Sequence, residues 1–152
     1  EEVEISQAEV TDNDDALVIF PEGGNFSPTR RERRIDRLRA MGLDQMAERA
    51  ERLQHVMAPQ PGGMLAALTA APHADVLFIA HTGLDRIVTI GDIYRELPMD
   101  KEIIKRGWHV PAEQIPDGDQ ARMDWLYSWF ETIDAWIADN RPRDLGAPLT
   151  GR

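Results

Sequence analysis

The chain contains no cysteine, which excludes a disulfide framework and any thiolate metal site. Lysine is nearly missing, with fifteen arginines to two lysines. A GC-rich genome gives that ratio as readily as bidentate anion recognition does, so it carries little weight. The four histidines, His55, His73, His81 and His109, are scattered, and no two share a metal-ligand spacing, so no metal is expected. No apolar run approaches the roughly 18–20 residues that span a bilayer, and no secretory leader pattern is visible. These absences lead us to expect a soluble chain. Basic residues are outnumbered 27 to 17, and a formal charge of −10 argues against a nucleic-acid surface.

What is present fits one domain. A chain of 152 residues hides about 68–70% of its unfolded surface, enough for a core without staples. It divides into an acidic lead-in (1–15), a body (16–140) and a tail (141–152). The lead-in carries Glu1, Glu2, Glu4, Glu9, Asp12, Asp14 and Asp15 without one basic residue, and the chain starts at Glu1 rather than a methionine. We expect a piece of a longer polypeptide.

The body is organised around residues 17–28, Leu-Val-Ile-Phe-Pro-Glu-Gly-Gly-Asn-Phe-Ser-Pro, and the basic run after them. Ala16–Phe20 is short and wholly apolar, as a strand buried on both faces would be. Pro21, Glu22, Gly23, Gly24 and Asn25 then form a tight loop. Ser27 can cap the following helix and Pro28 suits its first position. That helix carries Arg30, Arg31, Arg33, Arg34, Arg37 and Arg39, and Gly42 stops it. A strand feeding a glycine turn and a helix N-terminus is a recipe for holding an anion, usually a phosphate. Arg33, Arg37 and Arg39 read as a solvated face. Arg30, Arg31 and Arg34 stay open between that role and the anion site.

Further on, a mostly polar helix over 44–55 reads, with the arginine helix, as an insertion lying over the surface. The Pro59–Gly63 loop opens a helix over Met64–Ala71, and 75–81 reads as a buried strand. That βαβ order predicts parallel pairing with a right-handed crossover. Ile87–Ile93 is ambiguous, and Glu102–Val110 suits an edge strand of the same sheet. Asp119–Asn140 is the strongest helix, with Met123, Leu126, Trp129, Phe130, Ile133, Trp136 and Ile137 in one apolar stripe. Its acidic polar face favours core packing of the tryptophans over a membrane surface. The expected fold is α/β: a mostly parallel sheet flanked by helices, with a long C-terminal helix.

Phe20-Pro21-Glu22-Gly23 resembles the FPEG block of the glycerolipid acyltransferases. The likeness extends toward the lysocardiolipin-acyltransferase-like branch, which has similar elements in the same order. Here they read Phe20–Ser27, Arg30–Arg34, His55 through Gly63, Met64–Ala71, Val76–His81, Arg106–Pro116 and Trp125–Ile137. The resemblance implies acyl transfer from acyl-CoA or acyl carrier protein, as co-substrate rather than cofactor, to the hydroxyl of a lysophospholipid such as 1-acylglycerol-3-phosphate. It implies acceptor binding by Glu22, Gly23, Gly24, Asn25, Phe26, Arg30, Arg31 and Arg34. In the family, the histidine of an H-x-x-x-x-D motif is the general base and its aspartate the orienter.

Two departures stand out. Asn25 occupies a position where the family often has arginine, and no H-x-x-x-x-D occurs in the chain. His81-Thr82-Gly83-Leu84-Asp85 is one residue too short and falls on the wrong side of FPEG. No catalytic residue is therefore assigned here. The resemblance then implies a C-terminal portion, inactive alone, whose partners are a lysophospholipid, an acyl donor and the upstream part of the same polypeptide. Membrane contact through that upstream part would put the whole protein at the cytoplasmic face of a membrane. The alternative is a non-catalytic phosphate- or lipid-binding relative.

Overall fold

The computed structural model describes residues 16–24, 26–83 and 103–142. The lead-in, Asn25, the Ile87–Ile93 segment and most of the tail lie outside the described residues. Helix α1 spans Pro28–Ala40 and α2 spans Asp44–Arg52, joined as a hairpin. Gly42 between them sits at φ +73° with open space around it, so it is the left-handed backbone, not crowding, that calls for glycine. Helix α3 (Pro61–Ala70) follows, then strand β1 (Val76–Thr82) and strand β2 (Ile104–Val110). After a single 3-10 turn at Ala112–Gln114 comes helix α4, Asp119–Asn140.

The expected parallel sheet is not what forms. The sheet has two strands, and β1 pairs with β2 antiparallel, from Val76 opposite Val110 to Thr82 opposite Ile104. Among the described residues the fold is four helices and this one ribbon. Ala16–Phe20 joins no strand: Val18 is 74% and Phe20 81% exposed. A continuous apolar run records a preference for burial and names no neighbour, so it did not settle whether or with what that segment pairs.

β1 is apolar on both faces yet is buried on one. Phe78, Ala80 and Thr82 face inward, while Leu77, Ile79 and His81 face out. The inner face meets α4, whose Leu126, Tyr127, Phe130, Ile133, Trp136 and Ile137 are buried. Phe78 stacks on Trp129 with centroids 4.9 Å apart and tilts against Trp125 at 5.5 Å. Trp108 meets Trp129 and Trp136 edge-on. The tryptophans thus pack against the core, as the acidic polar face of α4 suggested.

The α1–α2 pair is not a surface insertion. Met46, Ala47, Ala50 and Leu53 belong to the same core cluster as α4, with Ala47 1% exposed. Short side chains on one stripe let α2 approach closely, and its polar composition describes the other face. Arg49 fastens it: Nε and Nη2 reach the two carboxylate oxygens of Glu131 at 2.9 and 3.0 Å. Its guanidinium also lies over the Tyr127 ring.

Candidate functional site

The FPEG bend is a hydrogen-bonded turn. The Gly23 amide donates to the Phe20 carbonyl at 3.0 Å, with Pro21 and Glu22 as the central residues. Glu22 has negative φ, which makes this a type I turn: proline suits its second position and glycine its fourth. Gly23 then takes φ +65° and Gly24 φ +145°. A side chain at Gly23 would meet the Gln60 amide, and one at Gly24 would collide with the Arg30 guanidinium. Both glycines are needed for backbone shape and for close approach.

Three contacts hold the bend to the chain before α3. The Gln60 amide donates to the Pro21 carbonyl at 2.8 Å. The Met57 amide donates to Oε2 of Glu22 at 2.9 Å. Arg34 Nη1 donates to the Glu22 carbonyl at 3.0 Å and to the Ala58 carbonyl. Glu22 is thus pinned through both side chain and backbone. One turn further, the stretch after α2 is held by Asp134 of α4, whose Oδ1 accepts the amides of Gln54, His55 and Val56 at 3.0, 2.6 and 3.0 Å. A backbone nest that would bind an external anion is filled by the protein's own carboxylate.

The seven described site residues separate accordingly. Glu22, Gly23, Gly24, Arg30 and Arg34 converge on the bend, and Phe26 beside them is half-buried. Arg31 points elsewhere: its Nε donates to the Leu53 carbonyl at 2.9 Å and its Nη2 to the Glu51 carbonyl, closing the C-terminal end of α2. Arg39 pairs with Glu51, while Arg33 and Arg37 are exposed. Arg30 is exposed at the start of α1, against Gly24. Nothing in the first turn of α1 is acidic, and Ser27 makes no side-chain cap. Asn25 lies outside the described residues.

Met57, Gln60 and Asp134 are parts of this region that sequence reasoning missed. Each lies tens of residues from the bend, and no local spacing announces a backbone amide as a ligand.

Burial pushes the Glu22 carboxyl above the usual range, outweighing the Met57 amide, Arg34 and His81, which favour the charged form. His81, at the end of β1, is therefore within electrostatic reach of Glu22. A raised carboxyl stabilises the fold most when protonated, and that contribution is lost as pH rises from about 4.3 through the folded value. Glu131, held low by Arg49, and Asp75, held low by His109, act oppositely. Their contribution is present above the ordinary carboxylate value and lost on acidification. Glu22→Gln keeps an acceptor for Met57. Thermal melts from pH 4.5 to 7 are expected to show a smaller decline in stability for this variant, with Tm at pH 7 no lower than that of the parent. An unchanged pH slope would contradict the burial of this carboxyl.

Among the described residues no group of acids and histidines could hold a metal ion, and no helix is long and apolar enough to cross a membrane. No family model, no curated protein and no solved structure matches the chain.

Proposed function

We propose that this chain is the acceptor-binding portion of a glycerolipid-type acyltransferase. The FPEG bend would receive the phosphorylated glycerol of a lysophospholipid, and acyl-CoA or acyl carrier protein would supply the acyl group. The supporting observation is the meeting of the Gly23–Gly24 backbone, the Arg30 guanidinium and the acid-free first turn of α1 at one point. Amides at a helix start and a guanidinium suit phosphate oxygens. Arg30 is the first residue for that charge, because Arg31 serves α2 and Arg34 is tied to two carbonyls. Glu22 would shape the bend and, on its outer side, orient an acceptor hydroxyl. The base would come from an H-x-x-x-x-D block elsewhere in the polypeptide, which would also make the membrane contact.

Titration of the chain with sn-glycerol 3-phosphate, followed by amide chemical shifts, tests the reading. Shifts are expected at Gly23, Gly24 and the first turn of α1, and Arg30→Ala should weaken binding by roughly tenfold, the effect of losing one charge-assisted hydrogen bond. Binding of inorganic phosphate with equal affinity would favour the non-catalytic anion-binding alternative. No shift at the bend would remove the acceptor site altogether.

A further inference from the structure

Helix α1 has three different sides. On the inner one Ile35 is buried, Leu38 packs against the core and Arg31 closes the end of α2. Glu32, Asp36 and Arg39 lie on one flank, where Arg39 pairs with Glu51. The remaining side carries Arg30, Arg33 and Arg37, which are spaced i, i+3 and i+7 and so form one row. All three are exposed, and among the described residues none of their guanidinium groups has an ion pair or a hydrogen bond. Burial chiefly, and with it the like charges of Arg30 and Arg37, disfavours the Arg34 cation on the same helix. The row is short of counter-charge.

The opposite charge stands in the lead-in, where residues 1–15 carry seven carboxylates and no basic group. The lead-in joins the described chain at Ala16, close to α1. From Ala16 to Phe20 the chain spans at most about 14 Å. The Phe20–Gly23 turn brings its end Cα atoms within about 7 Å of each other, and Gly24 lies against the Arg30 guanidinium. The arginine row itself is about 10 Å long. Fifteen residues span up to about 50 Å, so the lead-in reaches every arginine of the row.

We propose that the acidic lead-in docks on this row, its carboxylates pairing with Arg30, Arg33 and Arg37. A single exposed ion pair is worth little. Several on one tether add up, because every contact after the first is intramolecular and forms at a high effective concentration. An anionic bilayer is the weaker candidate. The chain carries −10 overall, and Asp12, Asp14 and Asp15 stand directly before Leu17 and Val18, so a negative surface would repel the adjoining segment. A carboxylate on Arg30 would also take the place of an external anion at the bend, which makes the lead-in an internal competitor there. The docking does not rest on the acyltransferase reading.

Because the chain has no cysteine, Ala8→Cys takes a single nitroxide label in the full-length sequence. Amide spectra at low ionic strength are expected to show paramagnetic broadening along residues 30–37. The broadening should be lost in about 1 M salt, where the Debye length is about 3 Å. Arg33→Glu combined with Arg37→Glu, at exposed positions, should remove it with unchanged far-UV circular dichroism. If that pair disturbs α1, the combination of Asp12→Asn, Asp14→Asn and Asp15→Asn serves the same purpose. Absence of broadening on α1 overturns the proposal, as does broadening that survives salt and these substitutions. So does broadening carried between molecules, seen when labelled chain is mixed with unlabelled, isotope-enriched chain. Displacement of the label from α1 by phosphatidylcholine–phosphatidylglycerol vesicles would likewise overturn it, making a bilayer the occupant.

Discussion

Phe78→Ala is expected to destabilise the chain by about 3–5 kcal/mol. The ring is buried on the inner face of β1, stacked on Trp129 and tilted against Trp125. Removing it loses the transfer free energy of an aromatic side chain and leaves a hole that a helix and a ribbon cannot both close. Ile79→Ala, the next residue, is expected to change stability by no more than about 0.5 kcal/mol. In a strand buried on both faces the two losses would be comparable. Urea unfolding of the pair therefore measures directly how many faces of β1 are covered, and equal losses would contradict the one-sided ribbon.

Asp134→Ala is expected to cost about 2–4 kcal/mol. One carboxylate oxygen accepts three successive amides, those of Gln54, His55 and Val56. Each donor left without a partner costs about 1–3 kcal/mol. Water reaches the exposed Gln54 amide more easily than the other two, which keeps the total below the simple sum. Asp139, exposed on the same helix, is the control, and Asp139→Ala should stay within about 0.5 kcal/mol. Hydrogen exchange should accelerate at residues 54–56 in the Asp134 variant and at no distant helix. Unchanged protection there would mean that the nest is satisfied without the carboxylate.

Asp134 also fixes the geometry of the FPEG bend indirectly. The nest holds the turn after α2, and in the next residues the Met57 and Gln60 amides donate to Glu22 and Pro21, while the Ala58 carbonyl accepts from Arg34, which also donates to the Glu22 carbonyl. A change in α4 is therefore expected to reach the bend through this one stretch of chain.

Helix positions were written into the sequence. Pro28, Gly42, the Pro59–Gly63 loop and the α4 stripe each act within a turn or two of backbone, by fixing φ, removing a donor or repeating at the helical period. The type I turn at Pro21–Gly23 is legible for the same reason, since its proline and glycine meet requirements of four consecutive residues. The inner tryptophans were legible too, because the acidic charges on the other side of α4 favour core packing over a membrane surface.

Partnership across the chain was decided by the tertiary structure alone. Ala16–Phe20 and β1 have nearly the same composition, yet one lies exposed and the other pairs with β2. Strand direction, the coverage of one face rather than two, and the burial of α2 depend on which surfaces meet after the chain has turned back on itself. Arg31 and Arg34 show the same limit at the candidate site. One turn apart on one basic helix, they donate to carbonyls 12 to 24 residues away, and only the path of the backbone determines which arginine remains for a ligand. Local sequence sets dihedral angles, whereas hydrogen-bond partners and buried area are set by proximity in space.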